Sequence, residues 1–350
     1  MNTLVTLIAA AGTFGTVLMF GTLGEILTEK SGNLNLGVEG IVFMGGAFGL
    51  AGAYSYEALV GVGSSNGLIA IIVAAISAFL AGAVASALFS FLTITLRANQ
   101  NVTGLALTIL GTGVAKFTGE YMRHKVGGFV TLSNPLKEAF TFVPMPSFLQ
   151  NIPIIGKILF SQSIFFYIAI ILAVAMHLFF QKTKTGLYLR SVGESPVTAD
   201  AAGINMVKYR YLATIIGGGI SAIGGMVYVM TTGGCTWNEH SLAGIGWLAV
   251  ALVIFCMWKP LNVLWGAILF GALKIMYMRV VLPFFPTELY KILPYVVTVI
   301  VLIITSMRNS RDKQPPASLG LNYFREDRSA FCPFFRTIIL WCGIKVILSL

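Results

Sequence analysis

Residues 185–205 read TGLYLRSVGESPVTADAAGIN, a polar stretch set into a chain that is otherwise apolar nearly throughout. Lys182, Lys184, Lys208 and Arg210 flank it on both sides. Within it, Glu194, Ser195 and Pro196 spell a helix start, because a serine side chain can cap the first turn and proline suits the first helical position. Val197–Ala202 then makes one or two turns, and Gly203 supplies a favoured C-terminal stop. The stretch reads either as a short rigid helical knob between two membrane spans or as a solvated loop. A bilayer protein with such an island on one face presents it to a soluble partner.

Outward from this island, composition sets the class. Hydrophobic residues make up 57% of the 350 and charged residues 10%, with a mean hydropathy of +0.85. Soluble domains carry roughly 25% charged residues, so this chain cannot solvate its own surface. Apolar runs of membrane-crossing length recur along it. The expected fold is all-α, a polytopic transmembrane helical bundle of about nine spans (eight to ten). We place them near 3–23, 37–56, 67–96, 102–120, 163–181, 209–231, 242–258, 261–282 and 289–306. Residues 1–308 form the membrane domain with its polar loop at 182–208, residues 309–328 a charged tail, and residues 329–350 an apolar extension. Arg336 and Lys345 leave that extension too little uncharged length to span. The segment 121–162 reads as a loop with short interfacial helices.

The net charge of +10 does not gather into one basic face with interleaved aromatics, so nucleic acid is not an expected partner. With the 182–208 loop inside, that side holds Lys30, Arg97, Lys182, Lys184, Arg190, Lys208, Arg210, Lys259 and five Lys/Arg between 308 and 328. The other side has Lys116, Arg123, Lys125, Lys137, Lys157, Arg279 and Lys291. Thirteen against seven puts the N-terminus outside and the main tail in the cytoplasm. No basic region or cleavage signature precedes the first span, which therefore reads as retained.

No G-x-x-x-x-G-K-[ST] occurs, so no ATP site of the P-loop kind is expected in this chain. There is no HExxH, and the four cysteines are scattered, which argues against a metal site or a disulfide framework. Neither catalytic residues nor a cofactor of its own is expected. The acidic residues show no buried relay, although Glu39 keeps an ion-coupled secondary transporter open as a rival, and a membrane scaffold without transport is a third reading.

A second motif spans 24–40, GEILTEKSGNLNLGVEG. Its glycines with Asn33 and Asn35 break any continuous helix. It reads equally as a polar cytoplasmic turn with a helix cap or as a broken helix facing protein or a water-filled route. Asn35, Glu39, Asn99 and Asn101 are candidate polar liners of a solute path, and Asn99 and Asn101 read alternatively as helix terminators at the cytoplasmic turn.

Three stretches in order, GNLNLGVEG at 32–40, the 185–205 island and GIGWLAVALVIFCMWKPLNVLWGAILFGAL at 244–273, resemble inner-membrane permeases of ABC importers. The similarity is to the large family serving branched-chain amino acids, simple sugars and nucleosides, and covers about residues 5–328. LNLGVEG and PPASLGLNYFRED (315–327) are most similar to its nucleoside and simple-sugar branch. The resemblance implies a coupling helix in the central loop, with Glu194, Ala199, Ala202 and Gly203 at the contact with a cassette ATPase that binds the ATP. It also implies a second permease chain, different or identical, an extracellular or periplasmic solute-binding protein, and a place in the cytoplasmic membrane of a prokaryote. Nucleosides are the first expected solute and simple sugars the second. The chain departs from the family pattern at Cys256–Pro260, where a glycine and an asparagine are common near the Trp-x-Pro turn. The stretch beyond Arg328 has no counterpart and reads as a lineage extension or a shifted reading frame.

Overall fold

Long apolar runs with polar residues confined to their ends can satisfy their backbone only as helices when water is scarce, and the chain does so. The computed structural model describes residues 2–150, 160–279, 287–307 and 314–324. Its helices are α1 (Asn2–Glu29), α2 (Val38–Val60), α3 (Gly67–Ser90, continued by a π-helical turn to Thr95) and α4 (Gln100–Val126). The short α5 (Asn134–Phe140) and α6 (Ser147–Gln150) follow, then α7 (Ile164–Lys182), α8 (Lys184–Glu194) and α9 (Pro196–Ala201). The series closes with α10 (Met206–Val227, again with a π-helical turn to Thr232), α11 (Ile245–Phe255), α12 (Asn262–Arg279) and α13 (Thr287–Met307). Among the described residues, the extended pairing is an isolated bridge between Thr131 and Thr236.

Among the described residues, six of the nine expected spans are helices long and apolar enough to cross a membrane: α1, α2, α3 with its π turn, α4, α7 and α10 with its own. The other three are represented by shorter apolar helices within α11, α12 and α13. The apolar extension expected at 329–350 lies outside the described residues. So do residues 309–313 and 325–328 of the tail.

Helix α10 is the centre of the bundle, with α1, α2 and α3 packed around it. Packing in a membrane rests on close backbone approach, because lipid is as apolar as the helix faces. Two glycines set the α2–α10 crossing. A Cβ on Gly45 would stand 1.9 Å from the Ala222 carbonyl oxygen, and one on Gly225 would stand 1.9 Å from that of Val42. Hydroxyls stitch neighbouring helices: Ser221 Oγ donates to the Gly21 carbonyl (3.0 Å) and Thr22 Oγ1 to that of Ala249 (3.3 Å).

Between α1 and α2 the chain makes a turn at 30–32, a short non-helical run at 33–35 and a second turn at 36–37, most of it buried. The left-handed turn at Gly32 lies beside the Arg210 guanidinium, and Asn33 Nδ2 donates to Thr214 Oγ1 (2.9 Å), one turn along α10. Val42 then meets Gly225. At 1.5 Å per residue, the chain has climbed roughly 20 Å along α10 between Arg210 and Gly225. Non-helical backbone inside a membrane bundle is tolerable only when buried in protein, and here its polar groups find protein partners. The Leu34 N–H donates to Gln100 Oε1 (2.7 Å), the Gly37 N–H to Asn35 Oδ1 (2.9 Å), and Thr108 Oγ1 to the Leu36 carbonyl (3.0 Å). The 24–40 stretch is thus interrupted between Glu29 and Val38, and the interruption packs against α4 and α10.

The crossing yields a direct test. Gly225→Ala is expected to destabilise the protein by about 1–3 kcal/mol through overpacking. Gly113→Ala, on α4 where an added Cβ meets nothing within 4 Å, is expected to be neutral or slightly stabilising. Thermal melts of the two variants in detergent or nanodiscs check the contrast.

Candidate functional site

The polar island folds as two helices. Thr183 opens α8, its Oγ1 accepting from the Gly186 N–H (3.0 Å), and Ser195 opens α9, its Oγ accepting from the Thr198 N–H (3.4 Å). Pro196 takes the first position of α9, as its fixed φ and missing N–H favour. After Ala201 the chain turns through Gly203, whose φ of +79° is the left-handed conformation that ends a helix at low cost only for glycine. α8 is an addition to the sequence reading, which saw a single short helix. Its glycines and its polar run masked a helix that Thr183 caps and tertiary contacts support.

Beneath the knob is a small core. Val192, Ala199 and Met206 are buried together, with Ile204, Tyr209 and Tyr323 against them. Ala199 therefore faces inward. The outward surface is made by Glu194, Val197, Thr198, Ala202 and Gly203, with Val197 64% exposed.

Residues 316–324 form a strap that ties this knob to two other turns. The Ser318 N–H donates to the Gly193 carbonyl (3.0 Å), and Ser318 Oγ bonds the same oxygen. The Gly320 N–H donates to the Gly32 carbonyl (3.2 Å), reaching the buried 30–37 segment. Asn322 Nδ2 donates to the Arg97 and Ala98 carbonyls (2.8 and 3.2 Å), while its Oδ1 accepts from Gln100 Nε2 (3.2 Å). Tyr323 OH donates to Asp200 Oδ2 (3.0 Å), and the Arg97 guanidinium lies 4.7 Å from the Phe324 ring centre. The Ala317 N–H reaches Glu194 Oε2 (3.3 Å). Nearby Lys30 is half-buried. That burial, reinforced by the Arg190 charge, lowers its ammonium pKa below the ordinary lysine value.

The candidate liners have defined local roles. Glu39 sits in the first turn of α2 and caps the start of α11. Its Oε1 accepts from the Gly244 N–H (2.6 Å) and its Oε2 from the N–H groups of Gly246 and Trp247 (2.6 and 3.2 Å). These are the donors a helix start leaves unsatisfied, and a carboxylate also complements the helix dipole. Glu29, lower on α1, accepts from Trp258 Nε1, so the two ends of the α11 region are both held by glutamates of the first two spans. Asn35 uses its oxygen on Gly37, leaving Nδ2 buried without a partner. Asn99 caps α4, accepting from the N–H groups of Asn101 and Val102 (3.0 and 3.2 Å), and Asn101 is exposed in that first turn. Asn35 and Glu39 thus flank the start of α2, while Asn99 and Asn101 lie at the knob end.

A knob of two capped helices thus sits on an all-helical bundle whose first two helices are separated by a mostly buried break. Residues 7–302 match the family described as "Branched-chain amino acid transport system / permease component". The chain belongs to this family. Among its relatives, NupC of Lactococcus lactis, a nucleoside ABC transporter permease, is 31% identical over 93% of this chain and 98% of its own. NupQ of Bacillus subtilis, a guanosine ABC transporter permease, is 31% identical over 92% of this chain and 97% of its own. TsgC13 of Haloferax volcanii, provisionally named a glucose ABC transporter permease, is 33% identical over 75% of this chain and 74% of its own. No solved structure matches.

In this permease the strap is what sequence reading missed. Its segment was noticed as part of a charged tail, yet Ser318 and Tyr323 bond the knob, Gly320 bonds the turn at Gly32 and Asn322 bonds the 97–98 turn. The available signal was compositional: SLGLNYF carries no charge, which is unusual for a freely solvated tail.

Two tests follow from this geometry. Asn322→Ala removes the hydrogen bonds that hold the 97–100 turn, so amide hydrogen exchange should quicken in 97–100 and 30–37, with a stability loss of about 1–3 kcal/mol. Glu39→Gln leaves one oxygen where two received three N–H groups, and is expected to lower the melting temperature at a cost of about 1.5–3 kcal/mol.

Proposed function

We propose that this chain is a transmembrane subunit of an ABC importer in the cytoplasmic membrane of a prokaryote, carrying nucleosides or related ribose-containing neutral solutes. The observation that supports this most is the two relatives named for nucleosides and guanosine, each aligned over more than nine-tenths of both chains. A simple sugar is the second reading, favoured by the glucose name of TsgC13. The solute path would run past the helix break, where Asn35 Nδ2 is buried and free to donate. Glu39, engaged by three backbone N–H groups, contributes there as a scaffold for α11 more than as an ion site.

In this reading the α8–α9 knob is the coupling element, on the cytoplasmic side, with the N-terminus outside. It contacts a cassette ATPase through Glu194, Val197, Ala202 and Gly203, while Ala199 supports the contact from within. ATP is bound and hydrolysed by that partner. A second permease chain completes the pore, and a solute-binding protein delivers from the outer side. Rigidity of the knob is what transmits the partner's closure. Its two caps, its small core and the strap make it move with α1, α4 and α10 as one body.

Val197→Asp places a charge in the centre of that contact without touching the core beneath. Reconstituted with its ATPase and binding protein, the variant should insert normally but lose ATP-dependent nucleoside uptake by about tenfold or more, the effect of leaving a charge unpaired in an interface. Uptake at the wild-type rate would remove the docking role. Uptake that needs an ion gradient and not ATP would overturn the importer reading.

A further inference from the structure

At the knob end the bundle encloses a cavity of about 410 Å³. It is walled by the π-helical end of α3, Arg97, the end of α9, the first turns of α10 and Tyr323 of the strap. Its volume falls among those of small-molecule pockets, about 300–1,000 Å³.

One lining residue, Arg210, is in an unusual state. It is 2% exposed, and its Nε and Nη2 are buried with no hydrogen-bond partner. Arg210 forms no ion pair among the described residues. A guanidinium cannot shed its proton to escape burial, and an uncompensated buried charge is among the costliest features a fold can carry. A counter-anion entering the cavity would compensate it.

The other walls agree in sign. Arg97 contributes a second guanidinium, half-buried and held by Phe324. Asn205, Met206 and Val207 bring the N-terminus of the 22-residue α10, where Asn205 Oδ1 caps the Lys208 N–H (3.1 Å) and the helix dipole still favours negative charge. The opposing charge is the Asp200 carboxylate, which receives the Tyr323 hydroxyl. Two cations and a helix start against one engaged carboxylate leave the cavity positive. Paired guanidinium forks suit a tetrahedral oxyanion better than a halide.

We propose that this cavity binds a phosphate group through Arg210 and Arg97, carried either by a soluble phosphate or by an anionic lipid headgroup. The ligand would bridge α10, the knob and the strap. Its occupancy would stiffen the element on which the coupling reading rests, although the binding itself does not depend on that reading.

The test uses the full chain in nanodiscs. Inorganic phosphate, with chloride at matched ionic strength as control, is titrated in zwitterionic lipid while the melting temperature is followed. Discs containing an anionic phospholipid are melted alongside. Wild type is expected to be stabilised by phosphate or by the anionic lipid, and the arm that responds identifies the source. Arg210→Met should lose that response, with apparent affinity down by roughly tenfold or more. Its unliganded form should be at least as stable as wild type, since an unpaired buried charge has gone. Arg97→Gln, at the half-buried position, should weaken the response and keep the fold. Absence of any response in wild type, or an equal response in Arg210→Met, would overturn the proposal. So would stabilisation by neither anion but by the docked ATPase alone, which would make the partner's own carboxylate the counter-charge.

Discussion

Everything in this bundle depends on how closely α10 can be approached. In lipid, helices gain little from hiding apolar side chains, so contact between backbones must supply the cohesion. Gly45 and Gly225 let α2 cross α10 at carbonyl distance, where any side chain would overlap. With α10 so enclosed by α1, α2 and α3, its other end at Met206–Arg210 is also fixed. The knob, the 30–37 connection and the strap are built onto that end.

The second organising device is the placing of helix ends inside the bundle. α2 and α11 both begin at depth, and one side chain serves both: Glu39 belongs to the first turn of α2 and caps α11. Exposed helix starts at membrane depth are chemically expensive, and they also offer backbone donors to a passing polar solute. The fold meets the expense at α11 with a carboxylate and in the 33–37 segment with Gln100, Asn35 and Thr108. Asn35 Nδ2 is left over from this arrangement, buried without a partner.

The knob and the strap show how a surface element can be rigid without a large core. Three buried residues beneath α9 cannot hold six residues of helix alone, since short helices are marginal in water. Capping by Ser195, the left-handed turn at Gly203 and the hydrogen bonds from Ser318, Gly320, Asn322 and Tyr323 add what the core lacks. These bonds join three segments that are far apart in sequence, so displacement of one turn is shared by the others.

From sequence alone, the all-helical membrane class followed from apolar run length. The α9 boundaries followed from Ser195, Pro196 and Gly203, and the break at 24–40 was readable as one of two options. These are local properties, dictated by burial of backbone polarity and by the conformational limits of a few residue types. Tertiary structure decided the rest. Nothing local tells that Glu39 will reach residues 244–247, that Ala199 turns inward while Val197 turns out, or that a tail segment returns to bind the Gly193 and Gly32 carbonyls. Nor does a count of basic residues distinguish Arg210 from the other cations, since only packing takes its guanidinium out of water. Those outcomes depend on which backbones can touch, and that is settled by close approach across α10 between segments nearly 200 residues apart, Gly45 and Gly225 among them.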